Sequence, residues 1–260
     1  MSTTTSKDGT TLAYDVTGSG PALVLVSGAS TTRASNQEYA EQLSADFTVY
    51  NYDRRGRGDS DTKSDFTGTI AVEREFEDLD AIIAEAGGAA AVLGFSSGAV
   101  LALKATANGA KVTDLVLWET PFSLDEGGPA RQATYAAELH EHLAAGRNGD
   151  AAALFMNLVG LPPEMIANIR NSPMWPGLEA VAPSLAYDAA AMGDSRIPDV
   201  SGVTARTLVL DGGASPAFLQ DAATALTKAL PNAERTTLEG QDHSVSANAL
   251  VPVVRKWLGR

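Results

Sequence analysis

The sequence predicts an α/β fold in which a mostly parallel sheet is covered by helices on both faces. Short strand-like runs alternate with longer helix-like stretches along most of the chain. Several of the strand-like runs are apolar throughout rather than alternating, as strands buried on both faces are. The 260 residues are 44% hydrophobic, enough for one large core.

In chain order, residues 10–16 alternate like an antiparallel strand, and Gly18-Ser19-Gly20-Pro21 breaks it. Residues 22–26 form a continuous apolar run ended by Gly28. Residues 47–52 are a further strand, closing on Asp53. Residues 73–86 carry a helical pattern stopped by Gly87-Gly88. Residues 89–93 and 112–118 read as buried strands, with an apolar helix over 99–105 between them. The strand pattern then disappears from Pro121 to about Val200. That stretch is Ala-rich, punctuated by Pro162-Pro163, Pro173 and Pro176, and reads as short helices inserted into the α/β core. The pattern resumes with a strand at 207–210, a helix at 222–230, a strand at 233–238 and a closing helix at 249–258.

The most informative local feature is Gly94-Phe95-Ser96-Ser97-Gly98. It lies between an apolar strand and an apolar helix. A serine on such a sharp turn is pushed out above the sheet edge, and small glycines let neighbouring backbone pass close by. The N-terminus of the following helix points unpaired N–H groups at any negative charge forming beside that serine. Without this setting the five residues are an ordinary Gly/Ser turn.

Charge and composition narrow the partners. The formal net charge of −13 argues against nucleic acid and against an anionic membrane surface, both of which call for a basic face. There is no cysteine, hence no disulfide and no thiolate metal site. Residues 1–8 lack the apolar stretch of a signal peptide, and no apolar run reaches membrane-spanning length. A cytoplasmic location, no cofactor and no metal are the expectations, with oligomeric state left open.

A serine nucleophile needs a base to take its proton. Of the three histidines, His243 in Gly240-Gln241-Asp242-His243 sits in a polar loop after the last strand and is the candidate base. His140 and His142 are spaced i, i+2 on a helix of the insertion, do not share a face, and read as surface residues. The loop Asp53-Arg54-Arg55-Gly56-Arg57-Gly58-Asp59-Ser60 reads as structural, its arginines pairing with acids. A phosphate site there is disfavoured because no Gly-rich loop opens a helix.

The pentapeptide, the Arg-Gly-Arg-Gly loop at 55–58 and the late His243 together make the chain resemble α/β-hydrolase fold enzymes over nearly its whole length. The resemblance implies an eight-stranded, mostly parallel sheet, a core of residues 1–120 and 201–260, and a helical cap at 121–200. It further implies Ser96 as nucleophile and His243 as base, with an oxyanion hole built from the N–H of Ser97 and that of Gly28 or Ala29. Ser27 stands where the family often has histidine. The acid departs from the common pattern. Counting from Gly212, the usual carboxylate position holds Ser215, which carries no charge. Two carboxylates could serve instead: Asp211, on or beside its strand, and Glu119, at the tip of the strand after the elbow helix. Glu119 is favoured, because that tip neighbours the elbow and its longer side chain reaches further.

Within that superfamily the chain resembles the zearalenone-type lactonases, which use a Ser-His-Glu triad. The resemblance rests on Gly94-Phe95-Ser96-Ser97-Gly98-Ala99, on Trp118-Glu119-Thr120-Pro121, and on Gly212-Gly213-Ala214-Ser215-Pro216 with its missing aspartate. The stretch Asn171-Ser172-Pro173-Met174-Trp175 is similar to one in which those enzymes place a tryptophan over the substrate. Phe155, Met156, Leu161, Met174, Trp175 and Tyr187 are candidates for the substrate wall, which implies a small apolar ester or lactone. The expected function is therefore hydrolysis of a carboxylic ester or lactone. The alternatives are a non-hydrolytic triad enzyme (a lyase or cofactor-free oxygenase) and a ligand receptor on the same fold. Dehalogenase and epoxide hydrolase chemistry is disfavoured, since it needs an aspartate where Ser96 stands.

Overall fold

A computed structural model of the chain describes residues 1–62 and 71–260. The strands are β1 (Ser2–Thr5), β2 (Thr11–Thr17), β3 (Ala22–Val26), β4 (Thr48–Tyr52), β5 (Ala90–Phe95), β6 (Val112–Trp118), β7 (Arg206–Gly212) and β8 (Ala233–Leu238). The helices are α1 (Gln37–Leu43), α2 (Glu73–Glu85), α3 (Ser97–Ala107), α4 (Gly128–Ala144), α5 (Asn148–Leu158), α6 (Pro163–Arg170), α7 (Trp175–Val181), α8 (Leu185–Met192), α9 (Ala217–Ala229) and α10 (Ala247–Trp257). All eight strands form one sheet in the order β1-β2-β4-β3-β5-β6-β7-β8. The pairs β1–β2 and β2–β4 are antiparallel, and every pairing from β4 across to β8 is parallel.

Alternation along the strands explains the two core layers. Val24, Val26, Val92, Leu115, Leu117 and Val209 face one side and pack against α2, α3 and α9. Their neighbours Leu23, Leu25, Leu93, Val116, Leu208 and Leu210 face the other side and pack against α1 and α10. Both faces are thus buried, which is why these strands read as unbroken apolar runs. α3 lies deepest, with Val100, Leu101 and Leu103 fully buried. Helices α4 to α8 all fall between β6 and β7 and carry a small cluster of their own around Tyr135, Leu139 and Leu185. No helix among the described residues is long and apolar enough to cross a membrane.

The structure adds elements that the pattern did not mark. β1 is a polar edge strand, Ser2 to Thr5, largely exposed, so it has no apolar alternation to reveal it. α1 has seven residues and buries only Ala40 and Leu43, too few for a clear helical period. α9 starts at Ala217 rather than 222, directly after Pro216, whose fixed φ suits a helix entrance.

The turn between β5 and α3 tolerates no side chain at its glycines. A Cβ on Gly94 would stand 2.6 Å from Ala99 Cα, and one on Gly98 would meet the Ser27 carbonyl and lie 2.5 Å from the Val26 oxygen. The clashes are with backbone, which cannot swing away. Gly98→Ala is therefore expected to cost about 2–4 kcal/mol, read as a fall in Tm. Gly177→Ala, in α7 with open space around its α-carbon, is expected to be neutral or slightly stabilising. Equal Tm values for the two variants would contradict this reading of the turn.

Candidate active site

Ser96 sits at the end of β5 with φ 53° and ψ −121°, a strained conformation for any residue other than glycine. The strain is held by the backbone around it. Ser96 N–H donates to the Trp118 carbonyl at 2.8 Å, and its own carbonyl accepts from Ala99 and Val100 in the first turn of α3. Ser96, Ser97, Gly28, Ala29 and His243 all line one cavity of about 1090 Å³.

Glu119 follows directly on β6, also at positive φ (45°), and is fully buried. Its N–H donates to the Leu210 carbonyl at 3.0 Å, so the tips of β5, β6 and β7 are tied together by backbone bonds. Its carboxylate accepts from His243 Nδ1–H through Oε2 at 2.6 Å and from Gly212 N–H through Oε1 at 2.8 Å. Ser215 Oγ lies beside the carboxylate without the alignment of a full hydrogen bond. Burial alone would raise the pKa of Glu119. The contact with His243, the nearby Ser215 hydroxyl and the Gly212 N–H outweigh burial and hold it below its ordinary value. An ionised Glu119 can only accept, which puts a proton on His243 Nδ1; in the neutral imidazole Nε2 is then the acceptor. The His243 loop is fixed from two sides. Trp118 Nε1–H donates to the His243 carbonyl at 3.1 Å, and the Tyr39 hydroxyl donates to the Val245 carbonyl at 2.5 Å.

Asp211 is not brought to His243. It is buried on β7, and Arg235 Nε and Nη2 both donate to it at 2.8 Å, with the Thr237 hydroxyl also in reach. Arg235 and Thr237 stand two apart on β8, so both share a face with Asp211, whereas Glu119 meets the chain through the next residue, Gly212.

The backbone N–H groups of Gly28, Ala29 and Ser97 have no acceptor among the described residues. Gly28 approaches Ser96 closely: a Cβ there would lie 3.4 Å from Ser96 Cβ and 3.2 Å from the Phe95 oxygen. The Gly28 carbonyl is turned away and accepts from Arg57 at 2.5 Å and from the Thr31 hydroxyl at 2.8 Å. Gly28 and Ala29 both line the cavity beside Ser96.

Beneath the site lies a buried charge cluster of two cations and two anions. Arg54 donates twice to Glu75 at 2.7 Å and once to Asp188 at 2.8 Å. Arg57 donates to the other Asp188 oxygen at 2.7 Å, and the Ser97 hydroxyl donates to Asp188 at 2.7 Å. Burial would raise the Asp188 pKa, but the charges of Arg57 and Arg54 bring it below the ordinary aspartate value. The remaining loop arginine, Arg55, pairs with Asp78 and Asp8. All three loop arginines thus pair with acids. Asp188 belongs to α8, so the cluster joins the helical insertion to the residue after Ser96. No sequence motif marks this aspartate; its only signal is that the buried arginines need a partner.

Of the wall candidates, Phe155 lines the cavity. Met156 is buried, and Leu161 follows α5 outside the cavity wall. Met174, Trp175 and Tyr187 are also absent from the wall. Met174 is 66% exposed. Trp175 packs on the small cluster of the insertion, with the Arg170 guanidinium over its ring. Tyr187 is buried with its hydroxyl 2.5 Å from that of Thr62. Of these three only Trp175 packs within the insertion, and the aromatic and apolar wall comes instead from residues such as Tyr39, Phe95, Trp118, Phe122, Tyr135 and Leu158. Trp118 and Phe122, which flank the β6 exit, were not among the candidates, because sequence does not show which way a side chain faces.

Two outcomes test this geometry. A carboxylate with a lowered folded-state pKa stabilises the fold above its unfolded value and loses that contribution as pH falls through the folded one. The stability difference between wild type and Glu119→Gln should therefore be largest above pH 4.5, the ordinary value, and shrink on acidification; urea unfolding across that range measures it. A difference independent of pH would contradict a charged Glu119. Separately, Asp188→Asn is expected to lose about 3–5 kcal/mol, since it leaves Arg54 and Arg57 buried with too little negative charge; an unchanged denaturation midpoint would contradict that.

The alpha/beta hydrolase family profile matches residues 23–255. A crystal structure of an alpha/beta hydrolase from Sphaerobacter thermophilus DSM 20745 is 48% identical, with a TM-score of 0.89, covering 99% of this chain and 100% of that one. Two more distant structures share the fold. A thermophilic esterase from Thermogutta terrifontis with malate bound is 23% identical (TM-score 0.70, 99% of this chain and 97% of that one). An enol-lactonase from Burkholderia xenovorans LB400 is 22% identical (TM-score 0.71, 97% and 98%). A sequence search of curated proteins found no match. Since the profile spans β3 to α10 and a relative of nearly half identity superposes over the full length, this chain belongs to the alpha/beta hydrolase family.

Proposed function

We infer that the protein is a serine hydrolase of carboxylic esters or lactones, working through Ser96, His243 and Glu119. The observation that carries the reading is the 2.6 Å bond from His243 Nδ1–H to the buried Glu119 carboxylate, with Ser96 in the same cavity. A hydrolysing serine needs this pairing, because it fixes the imidazole tautomer and stabilises the imidazolium. The acid's origin on β6 is also the feature behind the resemblance to Ser-His-Glu lactonases.

In this mechanism Ser96 Oγ attacks the substrate carbonyl while His243 Nε2 takes its proton. The carbonyl oxygen becomes an oxyanion, held by N–H groups of Ser97 and of Gly28 or Ala29. As the tetrahedral species collapses, His243 returns the proton to the leaving alkoxide. An acyl-enzyme and an alcohol result; with a lactone, the alcohol stays tethered to the acyl chain. Water, deprotonated by His243, then attacks the acyl carbon and releases the acid. Glu119 remains ionised throughout and keeps the imidazole in place. The wall of Phe95, Trp118, Phe122 and Phe155 favours an apolar substrate body.

A panel of esters and lactones tests the assignment. Ser96→Ala and His243→Ala are expected to lose about 10⁴-fold or more in kcat. Glu119→Gln should fall by about 10⁴-fold, whereas Asp211→Asn, which only disturbs a structural pair with Arg235, should keep most of its turnover. Full activity in Glu119→Gln would overturn the acid assignment. Full activity in Ser96→Ala would overturn the mechanism.

A further inference from the structure

Two buried arginines hold consecutive carbonyls of the loop after β3. Arg54 Nη1 donates to the Ser27 carbonyl at 3.2 Å, and Arg57 Nη1 donates to the Gly28 carbonyl at 2.5 Å. The Thr31 hydroxyl gives the Gly28 carbonyl a second bond at 2.8 Å. A peptide unit is planar and trans, so its C=O and its N–H point in opposite directions. The Ser27 carbonyl shares its unit with the Gly28 N–H, and the Gly28 carbonyl shares its unit with the Ala29 N–H. Holding the two carbonyls therefore turns those two N–H groups away from the guanidinium pair. Neither N–H has an acceptor among the described residues, and both residues line the cavity beside Ser96.

The arginines are themselves fixed. Arg54 and Arg57 are 1% and 2% exposed. Asp188 accepts from Arg54 through Oδ1 at 2.8 Å and from Arg57 through Oδ2 at 2.7 Å. Glu75 accepts twice from the other edge of Arg54 at 2.7 Å. Asp188 Oδ1 also accepts from the Ser97 hydroxyl at 2.7 Å. One carboxylate thus braces both the cations that hold the loop and the side chain of the residue after Ser96. A carbonyl that accepts a charge-assisted bond polarises its peptide unit, and the N–H of that unit becomes a better donor. Glu75 and Asp188 balance the two cations, so the arginines give the loop alignment and polarisation rather than net charge.

We propose that Arg54 and Arg57 are positioning residues for the oxyanion hole, holding the peptide planes whose Gly28 and Ala29 N–H groups meet the negative charge forming on the substrate carbonyl oxygen. This rests on the serine hydrolase reading and deepens it. That charge develops in the transition state, so an interaction with it is stronger there than in the bound ester. Losing the alignment therefore lowers kcat and weakens a tetrahedral anion at Ser96, while ester binding is kept. A purely structural role would weaken all three together or none.

Two variants test this. Arg57→Lys keeps a cation, but an ammonium lacks the fork that spans Asp188 and Gly28 at once. Arg57→Met/Asp188→Asn removes one cation and one anion together, so it keeps the charge balanced should the first variant unfold. Circular dichroism below each thermal midpoint checks the fold. Each folded variant is expected to lose roughly 10-fold or more in kcat on phenyl esters, with KM moved by less than about threefold. Phenylboronic acid, which forms a tetrahedral anion on a reactive serine, should bind roughly 10-fold more weakly. In a Ser96→Ala background, the calorimetric affinity for the same ester should stay within about threefold of Ser96→Ala alone.

If a folded variant keeps wild-type kcat and boronate affinity, or if ester and boronate weaken equally, the positioning role is overturned while the hydrolase reading stands. If wild type hydrolyses no ester or lactone, yet boronate binds at Ser96 and weakens in the variants, the positioning role stands and the hydrolytic reading fails. If wild type neither hydrolyses these substrates nor binds boronate, both fail.

Discussion

A buried carboxylate governs the architecture of this site. Glu119 is fully enclosed at the end of β6, yet it is held below the ordinary carboxylate pKa. Stripping an ion of water costs several kcal/mol, and the fold offsets that with donors aimed at both oxygens: the Gly212 N–H at Oε1 and the His243 ring at Oε2. Placing those donors requires three strand tips in register, the chain turning at positive φ at Ser96 and again at Glu119, and a histidine loop fastened by Trp118 and Tyr39. The Ser96 turn and Glu119 are therefore one construction, since Ser96 N–H is bonded to the residue just before Glu119.

The same geometry explains how a carboxylate from the tip of β6, rather than from the loop after β7, comes to meet His243. Gly212 binds the Glu119 carboxylate, and Ser215 lies beside it. The tips of β6 and β7 converge on one volume next to His243, which a carboxylate can enter from either strand. With a serine at 215, the longer side chain from β6 occupies it. A second buried cluster is centred on Asp188. Asp188 binds Arg54, Arg57 and the Ser97 hydroxyl, while Arg57 holds the Gly28 carbonyl. One carboxylate on the helical insertion thereby ties to Ser97 directly and to the Gly28 loop through Arg57, so disturbing the insertion would disturb the proposed oxyanion site.

Most of the sheet was legible because strands buried on both faces leave unbroken apolar runs, as in 22–26 and 112–118. Ser96 and His243 were legible because a strand–turn–helix and a polar loop after the last strand leave local signals. β1 and α1 were not, since each contributes too little to the core to impose a period. The cavity wall was the least legible part. Trp175 and Tyr187 are the large apolar side chains one would assign to a substrate, yet one packs inside the insertion with Arg170 and the other beside Thr62. Aromatic residues in a small helical cluster are needed first for its own core, and sequence carries no mark of which faces remain. Asp188 shows the converse: it looks like any helix aspartate until the buried arginines around it are seen.

The most direct test of the account is the rate at which a serine-directed aryl phosphonate labels the protein, followed by intact mass and located by peptide mapping. Labelling reports the nucleophile, its base and the acid without any assumption about the natural substrate. The account predicts one adduct on Ser96, formed more slowly by about 10³-fold or more in Glu119→Gln and at close to the wild-type rate in Asp211→Asn. An adduct on another residue, or labelling of Glu119→Gln at the wild-type rate, would contradict it.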